Sequence, residues 1–532
     1  MTILTGKQLI AGTWQLGLNG HFQAYDPVLG QNIEPIMSFA NQAQIEQTLS
    51  YAAQAAPILA QISLVKRARF LTTCADEILA LGDDLLARGA LETGYPKARI
   101  ATERDRTVNQ LHLFAKLVLA GDFLNIRINT AQPERAPLPR PDLRYINQAI
   151  GPVVVFGASN FPLAYSVAGG DTVSALAAGC PVIVKGHNSH PGTCELVAIA
   201  LNNAVKKCQL PPGTFSMLLG DGNEIGEQLV CAPEIKAVGF TGSTQGGIAL
   251  MKLAQNRAEP IPVFAEMGST NPVVLLPKTL KKAFKTIAEN FVTSFKAGTG
   301  QFCVSPGLLI AIEDESLTAF ISQLRSLIKD VPAGVMLNQG IYQSYQKNLA
   351  TRITHDNVEI IAQGQTALNS KGCFSQMTLL KTDASTFIGS AELKEEIFGH
   401  TALLITCKNI NEIIAVIESL NGQLTGTIQG GVEELAEYGS LIQLLQQKVG
   451  RLVINNFPTG VEVCEAMMHG GPFPASSDSR FTSVGTASIT RFLKPVCLQN
   501  YPEALLPEAL QNNNPLNINR LVDGVYTRAA ID

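Results

Sequence analysis

Residues 151–186 read GPVVVFGASNFPLAYSVAGGDTVSALAAGCPVIVKG, and their pattern indicates the fold most clearly. It starts with an apolar segment rich in β-branched residues, continues through a Gly/Asn loop and an alanine-rich segment, and ends in a second apolar segment, CPVIVKG. The same alternation continues to IKAVGFTGS at residues 235–243. Short strands that alternate with helices predict a parallel, doubly wound sheet, and therefore an α/β fold.

The regions around this stretch extend the pattern. Residues from about 41 to 122 carry apolar side chains at helical spacing. A second α/β region begins near residue 266 and contains the apolar segment NPVVLLP. Residues 125–145 alternate around a Pro/Arg-rich centre, which predicts a hairpin-like excursion. Because an exposed strand edge needs covering, this excursion is a candidate for contact with a partner subunit.

Composition excludes several classes of protein. Hydrophobic residues make up 46% of the 532 residues, and the formal charge of −4 is too small for a nucleic-acid binder or an acidic disordered tail. The apolar run of residues 145–170 is broken by glycine and proline, so no membrane-spanning helix is expected. The N-terminal residues lack the pattern of a signal peptide, which leads us to expect a cytoplasmic protein.

The ten cysteines are scattered without a CxxC pair. Their spacing predicts neither a disulfide framework nor a zinc site of the common short spacing, so we expect reduced thiols and no metal. Cys303 differs from the others, because KAGTGQFCVSPG places it on a Gly/Gln-rich turn between a helix and a strand. Backbone N–H groups on such a turn can stabilise a thiolate. Taken alone, the pattern also fits a buried structural cysteine.

Two polar residues follow predicted strands. Glu266, in FAEMGSTNP, would activate water against a thioester if it lies near Cys303, whereas a solvated strand end is the alternative. Asn160, in GASNFP, offers an amide that could hold an oxyanion together with a backbone N–H group. An Asx-turn is the alternative for this asparagine.

Three segments offer groups for a nucleotide. FTGSTQGG, residues 240–247, joins a strand to a helix, where N–H donors suit a phosphate, although the segment is not GxGxxG. Lys185 follows the strand VIV and suits a ribose or a phosphate. EEIFGH, residues 395–400, places a glutamate and an aromatic ring two residues apart, where they could hold a ribose and a nicotinamide edge.

Taken together and in this order, SNFP, VIVKG, FTGST, EMGSTNP, GQFC and EEIFG closely resemble the motifs of the aldehyde dehydrogenase superfamily. The resemblance covers about residues 5–500. It implies the aldehyde dehydrogenase fold, which combines a Rossmann-like parallel sheet, an α/β catalytic domain and a small β oligomerisation flap. The implied NAD(P)-binding domain comprises residues 1–124 and 146–265, the catalytic domain residues 266–490, and the flap with the C-terminal tail residues 125–145 and 491–532.

The resemblance also implies a role for individual residues. It makes Cys303 the nucleophile, Glu266 the general base and Asn160 the oxyanion donor. The implied cofactor-binding residues are Lys185, His187, Asn188, Gly242, Ser243, Glu396 and Phe398.

One departure from the family bears on the cofactor. The family commonly has glutamate three residues after the lysine, whereas this chain has Asn188 there. Removing a carboxylate from beside a 2′-phosphate favours NADP. Lys185 or His187 is then the expected phosphate partner, and NAD is the alternative cofactor.

Two longer stretches narrow the substrate. Residues 157–193 and 457–496 resemble the 2-oxoglutarate semialdehyde (2,5-dioxopentanoate) dehydrogenases of sugar-acid catabolism, and also an NADP-dependent branch that oxidises long-chain fatty aldehydes. The first resemblance extends into residues 502–524, so we expect the oxo acid. Arg106 and Gln110 share a face of a predicted helix and are candidates for its carboxylate, with a solvated face as the alternative.

Phe161, beside Asn160, completes the expected substrate contacts. Glu266 argues against a CoA-acylating enzyme, in which a hydrolytic base would be counterproductive, and its presence with Cys303 and Asn160 argues against a non-catalytic binding protein. The resemblance implies a homodimer or homotetramer that takes a small aldehyde, without nucleic-acid or membrane partners.

Overall fold

The computed structural model describes residues 3–368 and 371–531, so the predicted domain ends at residues 1 and 532, and residues 369–370 of the predicted catalytic domain, lie outside the described residues. In chain order the strands are β1 (Gln8–Ile10), β2 (Thr13–Gln15), β3 (His21–Asp26), β4 (Gln31–Ser38), β5 (Arg127–Asn129), β6 (Leu143–Ala149), β7 (Val153–Phe156), β8 (Val182–Lys185), β9 (Phe215–Leu218), β10 (Ala237–Thr241), β11 (Val263–Glu266), β12 (Pro272–Leu275), β13 (Leu308–Ile312), β14 (Gly334–Val335), β15 (Glu359–Gln363), β16 (Phe374–Ser375), β17 (Thr378–Asp383), β18 (Thr401–Cys407), β19 (Gln423–Gln429), β20 (Val449–Ile454), β21 (Leu493–Gln499), β22 (Arg520–Val522) and β23 (Val525–Thr527).

The helices, in the same order, are α1 (Gln42–Gln61), α2 (Leu64–Ala80), α3 (Gly82–Thr93), α4 (Lys97–Ala120), α5 (Gly170–Ala178), α6 (Pro191–Lys207), α7 (Gly222–Cys231), α8 (Thr244–Gln255), α9 (Pro277–Lys296), α10 (Glu315–Ile328), α11 (Gln339–Ile353), α12 (Ala384–Gly389), α13 (Ile410–Ser419), α14 (Val432–Glu437) and α15 (Gly439–Lys448). Within the two described ranges, no helix is both long and apolar enough to cross a membrane.

The first sheet confirms the predicted α/β alternation. Its strands run in the order β11-β10-β7-β8-β9-β1-β2. The five strands from β11 to β9 are parallel, and β1 and β2 add an antiparallel edge. Because β7 pairs with both β8 and β10, the winding reverses at β7. In such sheets ligands bind beyond the carboxyl ends of the strands at the point of reversal.

Helices cover both faces of this sheet, which is why its strands are continuously apolar. In β7, Val153 and Val155 face a core formed with α2, α4, α5 and α6. Val154 and Phe156 face the opposite core, formed with α1, α7 and α8. Burying one such side chain contributes about 1.5–3 kcal/mol. The alternation along four residues therefore anchors β7 from both sides.

The second sheet has the order β15-β17-β18-β13-β12-β19-β20. Its strands are parallel except for β15, which runs antiparallel to β17. Helices α9 and α10 pack on one face, and α12, α13 and α15 on the other. The segment NPVVLLP forms β12 as predicted.

A third sheet, of order β21-β6-β5-β22-β23, occupies the region predicted as the flap. Strands β5 and β6 form the predicted hairpin, and β6 continues to Ala149, beyond the predicted boundary at residue 145. The C-terminal tail adds β22 and β23, which the sequence did not predict. Arg520 holds this tail, because its buried guanidinium donates to the carbonyl oxygens of Gln511, Asn512 and Ala529.

The two large sheets position the candidate residues. Lys185 ends β8 and Glu266 ends β11, while Asn160 and Ser243 follow β7 and β10. Because these four strands are parallel and adjacent, their carboxyl ends lie along one edge of the first sheet. Cys303 comes from the turn that precedes β13 in the second sheet.

Candidate active site

Cys303 lies on a tight turn between α9 and β13. Gly298, Thr299 and Gly300 have φ angles of 56°, 60° and 67°, all in the left-handed region. At Gly300 an added Cβ would collide with the carbonyl oxygen of Gly399, so the turn needs glycine there. The predicted Gly-rich turn is present because larger residues would not fit at Gly300. It leaves the Cys303 thiol half-buried.

Asn271 and Gln423 fix the backbone around Cys303. Asn271 Nδ2 donates to the carbonyl oxygens of Cys303 and Ser305, each at 2.9 Å. Gln423 Oε1 accepts from the backbone N–H groups of Thr270 at 2.7 Å and Asn271 at 3.1 Å. Both amide side chains are buried. Buried and fully engaged amides hold one geometry, so the nucleophile is positioned before any ligand arrives.

The side chains of Cys303, Glu266 and His469 meet in one cluster. His469 Nε2 lies 3.4 Å from Cys303 Sγ and 3.1 Å from Glu266 Oε2. Ser483 Oγ donates to the same carboxylate oxygen at 3.1 Å. Glu266 is 3% exposed and His469 is 1% exposed, so these contacts act in a region of low dielectric. The cluster can accept the thiol proton and can orient an attacking water.

The surroundings shift the pKa values of the nucleophile and the carboxyl in opposite directions. Burial and the negative charge of Glu266 raise the pKa of the Cys303 thiol well above its ordinary value, and Arg451 only partly opposes them. Burial by itself would raise the pKa of Glu266, but the charge and hydrogen bond of His469, with help from Ser483, lower it. The resting cluster therefore holds a protonated thiol beside an ionised carboxylate.

Asn160 reaches across the site from the end of β7. Its Nδ2 donates to the carbonyl oxygen of Gln301 at 2.8 Å, two residues before Cys303, and the side chain is buried. A side-chain amide carries two N–H groups, so one stays free for an oxyanion. The amide is thus engaged with the cysteine turn rather than in a local Asx-turn.

A tunnel of about 880 Å³, including its open mouth, leads to Cys303. Helix α4 contributes Arg99, Thr102, Glu103 and Arg106, and the facing loops contribute Phe161, Tyr165, Phe302, Val304, Gly460 and Val461. Arg99 lies 5.0 Å from the ring centroid of Phe161 and 4.8 Å from that of Phe302, so it helps to hold the aromatic wall. Two guanidinium groups against one carboxylate leave the tunnel wall positively charged.

The structure separates the three predicted substrate contacts. Phe161 and Arg106 line the tunnel, where Arg106 donates to the Tyr165 hydroxyl at 3.4 Å and to the carbonyl oxygen of Val461. Gln110 is buried behind this wall, and its Nε2 has no hydrogen-bond partner among the residues that the structure describes. The shared helical face therefore brings Arg106, but not Gln110, to the tunnel.

A narrower space of about 240 Å³, including its mouth, reaches Glu266 and His469; we name it the crevice. Its wall is rich in hydroxyl and charged groups, among them Ser476, Asp478, Thr482, Ser483 and Arg491. Arg491 Nη1 pairs with the buried Asp171 Oδ1 at 2.7 Å. The crevice differs from the tunnel in that it reaches the acid–base groups rather than the thiol.

Lys185, His187 and Asn188 lie together at the end of β8. Lys185 Nζ donates to Asn188 Oδ1 at 3.0 Å, and Asn188 Nδ2 donates to the carbonyl oxygen of Gly220 at 3.1 Å. Burial lowers the pKa of Lys185 to about 8. Burial and the neighbouring charges of His190 and Lys185 hold the pKa of His187 well below its usual value, so the ring is neutral.

Gly242 contacts the general base through its backbone, and Ser243 follows it at the start of α8. The N–H group of Gly242 donates to the carbonyl oxygen of Glu266 at 3.1 Å. Ser243 caps α8, because its Oγ accepts from the N–H group of Gly246 at 3.1 Å. The N–H groups and partial positive charge of a helix N-terminus suit a pyrophosphate.

Glu396 lies beside Gly268, next to Thr244 at the start of α8. A Cβ at Gly268 would lie only 2.5 Å from Glu396 Oε2, so the carboxylate fits only against a glycine backbone. Burial raises the pKa of Glu396 to about 8, and Phe398 follows it half-buried. A carboxylate for ribose hydroxyls at one end and a helix N-terminus for phosphates at the other fit a dinucleotide.

Sequence reasoning missed His469, Asn271 and Arg451. Arg451 donates to the carbonyl oxygens of Pro458 at 2.6 Å and Gly460 at 3.0 Å, and so shapes the loop that borders the tunnel. His469 belongs to a segment without regular periodicity, so no helix or strand pattern marks it. Its one sequence signal is the HGG that follows FPTGVEV within a stretch already noted for its resemblance.

Comparison with known proteins agrees with this geometry. The model of the aldehyde dehydrogenase family matches residues 14–489. Alpha-ketoglutaric semialdehyde dehydrogenase 2 of Azospirillum brasilense is 48% identical over 522 residues, which cover 98% of this chain and 99% of the relative. Alpha-ketoglutaric semialdehyde dehydrogenase of Acinetobacter baylyi is 46% identical over 525 residues, again covering 98% and 99%.

The fold is found in solved structures as well. Betaine aldehyde dehydrogenase of Staphylococcus aureus, in complex with NAD⁺, superimposes with a TM-score of 0.81 over 94% of this chain and 95% of that chain, at 19% identity. Likeness at this identity shows the fold alone, and it confirms the aldehyde dehydrogenase fold that the six motifs implied. The chain therefore belongs to the aldehyde dehydrogenase family, the NAD(P)-dependent oxidoreductases that act on aldehydes.

Proposed function

We propose that this chain oxidises 2-oxoglutarate semialdehyde (2,5-dioxopentanoate) to 2-oxoglutarate with NADP, as a step of sugar-acid catabolism. The observation that carries the proposal is the meeting of Cys303, Glu266 and His469 at the end of a tunnel whose wall holds two guanidinium groups. The two relatives of 48% and 46% identity, which are named for this semialdehyde, support the same substrate.

The first step is nucleophilic attack by Cys303. Because burial and Glu266 keep the thiol protonated at rest, the proton must leave as Sγ attacks the aldehyde carbon. Glu266 and His469 are the acceptors within reach, since His469 Nε2 lies 3.4 Å from Sγ and 3.1 Å from the carboxylate. Because the thiol is protonated at rest, the reaction depends on a base that is held within reach of Sγ.

Asn160 and the backbone N–H group of Cys303 stabilise the negative charge that develops on the aldehyde oxygen. One N–H group of the Asn160 amide is held at 2.8 Å from the Gln301 carbonyl oxygen, which fixes the amide and leaves its second N–H group to donate to the oxyanion. Lys185, Ser243 and Glu396 would hold NADP⁺, which would supply the hydride acceptor for the adduct. Loss of that hydride would leave the acyl group on Cys303 as a thioester.

Glu266 completes the reaction by hydrolysing the thioester. The ionised carboxylate removes a proton from water, the new C–O bond forms, and the C–S bond breaks to release the carboxylic acid. Aldehyde, oxidised cofactor and water are thereby converted to carboxylate, reduced cofactor and two protons. Because the pKa of Glu266 is held below its ordinary value, the base stays available across neutral pH.

NADP is the proposed cofactor because Asn188 stands where a carboxylate would repel a 2′-phosphate. Lys185 and His187 lie beside it and would contact the ribose or phosphate. The carboxylate of Asp221 lies near Lys185, and its charge raises the pKa of that lysine. One oxygen of Asp221 is already engaged in capping α7, because it accepts from the Asn223 N–H group at 3.0 Å. Gly242, Ser243, Glu396 and Phe398 would hold the pyrophosphate and the nicotinamide ribose.

Arg106 is the proposed partner of the substrate carboxylate. Its guanidinium is held in the tunnel wall by the Tyr165 hydroxyl and the Val461 carbonyl oxygen. Phe161 would pack on the carbon chain. A guanidinium and a carboxylate form a charge-assisted hydrogen bond, whereas a long alkyl chain would gain nothing from either arginine. The tunnel charge therefore favours the oxo acid over a fatty aldehyde, and the role of Gln110 stays a prediction.

The predicted domains and setting complete the proposal. We assign residues 1–124 and 146–265 to cofactor binding, 266–490 to catalysis, and 125–145 with 491–532 to a flap that joins subunits into a dimer or tetramer. A cytoplasmic location is proposed because all ten cysteines are free thiols.

Product analysis tests this function. The purified chain is incubated with 2-oxoglutarate semialdehyde and NADP⁺ in the absence of CoA, and 2-oxoglutarate and NADPH are quantified. One 2-oxoglutarate per NADPH is expected. A requirement for CoA, with an acyl-CoA product, would instead establish the CoA-acylating alternative.

A further inference from the structure

We propose that Cys303, Glu266 and His469 form a zinc site, and that a Zn²⁺ ion bound there reversibly shuts off the enzyme. Among the residues that the structure describes, this is the one group of three metal-ligating side chains whose donor atoms converge. The inhibition rests on the proposed function, since it takes Cys303 as the nucleophile. The binding itself does not.

The spacing of the donor atoms matches a tetrahedral zinc ion. Sγ, Nε2 and a carboxylate oxygen all lie within 4.8 Å of one another, with Sγ to Nε2 at 3.4 Å and Nε2 to Oε2 at 3.1 Å. Zinc bonds of about 2.3 Å to sulfur and about 2.0 Å to nitrogen and oxygen give tetrahedral edges of about 3.5 Å and about 3.3 Å. These two edges need to lengthen by only a few tenths of an ångström, and the third edge, from Sγ to the carboxylate and no longer than 4.8 Å, needs to close toward about 3.5 Å.

Neighbouring groups hold the ligands in this arrangement. Ser483 Oγ lies 3.1 Å from both Glu266 Oε2 and the carbonyl oxygen of His469, so its one hydroxyl proton bridges the two acceptors. Asn271 fixes the Cys303 carbonyl oxygen at 2.9 Å. Such supporting contacts orient metal ligands and reduce the cost of assembling the site.

The donor set selects zinc over the common hard cations. A thiolate, an imidazole and a carboxylate are zinc ligands, whereas Mg²⁺ and Ca²⁺ take oxygen ligands almost exclusively. Three protein ligands would leave one coordination position open toward the tunnel, which a water can fill. The ligands, residues 266, 303 and 469, lie far apart in the chain. The sequence predicted no metal because that prediction rested on the absence of short ligand spacings.

Binding would remove both parts of the catalytic pair. Zn²⁺ displaces the thiol proton to solvent and forms a Zn–S bond, without any change in oxidation state. The sulfur lone pair is then no longer free to attack an aldehyde, and Glu266 no longer accepts a proton. Because the ion is held by coordination bonds, a chelator restores the free thiol.

Zinc binding is measured on the full-length chain, freed of metal with EDTA, by competition with a chromogenic zinc chelator in the absence of aldehyde and cofactor. The exposed cysteines Cys231 and Cys497 are replaced by serine in all samples to remove adventitious thiol sites. One tight equivalent per chain is expected. Aldehyde oxidation, assayed separately, should fall in proportion to occupancy, recover with EDTA and ignore Mg²⁺.

Three variants locate the ion. Cys303→Ser and His469→Asn should each weaken zinc binding by at least about 100-fold, more than the loss of a supporting group costs. His112→Asn is the matched control, since His112 is an exposed histidine on α4, and it should change nothing. Thermal unfolding of each variant verifies that the chain stays folded.

Cobalt provides a direct spectroscopic test. Co²⁺ added to the metal-free chain should give a thiolate-to-cobalt charge-transfer band and the visible absorption of a four-coordinate ion, both absent in Cys303→Ser. Unchanged zinc affinity in Cys303→Ser and His469→Asn, or a cobalt spectrum without the thiolate band, would overturn the proposal. An active enzyme with no tight zinc equivalent would overturn it while leaving the proposed function intact.

Discussion

The tunnel and the crevice reach different members of the same cluster and are lined by different side chains. The tunnel reaches Cys303 between aromatic rings and two guanidinium groups. The crevice reaches Glu266 and His469 between hydroxyl and charged groups. His469 Nε2, from the crevice wall, lies 3.4 Å from Sγ of Cys303, which lines the tunnel. The difference indicates separate roles, in which the tunnel side selects the aldehyde and the crevice side orients the acid–base groups.

The largest effect is expected at Cys303, which lines the tunnel. Cys303→Ala should lower kcat for aldehyde oxidation by on the order of 10⁴-fold or more, because no thioester can form. Steady-state assays of NADPH formation measure this, and cofactor affinity, measured by equilibrium binding, should be unchanged. Cys497→Ala, at an exposed cysteine, is the matched control and should keep full activity.

The next largest effect is expected on the crevice side, and on stability. Arg491→Met leaves the buried Asp171 carboxylate without its partner at 2.7 Å, which should lower the free energy of unfolding by about 3–5 kcal/mol. Urea denaturation measures the loss. Arg480→Met breaks the exposed pair with Asp478 and should cost about 0–1 kcal/mol. Equal losses in the two variants would show that the crevice wall does not depend on the buried pair.

A smaller, selective effect is expected in the tunnel. Arg106→Leu removes a charge-assisted hydrogen bond worth about 1.5–3 kcal/mol, so kcat/KM for 2-oxoglutarate semialdehyde should fall about 10- to 100-fold. The value for decanal should stay the same or rise. Arg106→Lys keeps the charge and should retain part of the activity. A parallel loss for both aldehydes would mean that Arg106 shapes the tunnel without selecting the substrate.

The smallest effect is expected outside both spaces, at Asn188. Asn188→Glu places a negative charge beside the 2′-phosphate, at a cost of about 1–4 kcal/mol at contact distance. The ratio of kcat/KM for NADP⁺ to that for NAD⁺ should therefore fall about tenfold or more. Asn188→Gln, which stays neutral, should leave the ratio close to that of the native chain. If both variants behave alike, Asn188 does not determine the cofactor preference.

The alternation of strands and helices was predictable because each element carries its own local pattern. VVVF and VIVK are buried on both faces, so their residues are uniformly apolar and easily recognised. The motif residues Cys303, Glu266 and Asn160 were found because each belongs to a turn or strand end with a restricted local sequence. The tail strands β22 and β23 were not predicted, because their three residues each are held by long-range pairing and by Arg520.

The histidine of the cluster escaped prediction for a different reason. His469 lies 166 positions from Cys303 in the chain, and Glu266 is farther away still. No periodicity connects such positions, and a buried histidine in an irregular segment has no local signature. Gln110 shows a second limit of prediction from sequence. It shares a helical face with Arg106, but the helical pattern does not determine which of the two side chains reaches the tunnel.

The most direct test of the division between tunnel and crevice is the specificity of the native chain. Steady-state kcat/KM is measured for 2-oxoglutarate semialdehyde and for decanal, each with saturating NADP⁺. A positively charged tunnel predicts a higher value for 2-oxoglutarate semialdehyde, by at least about tenfold for one charge-assisted hydrogen bond. A higher value for decanal would contradict the account and identify the chain as a fatty-aldehyde enzyme.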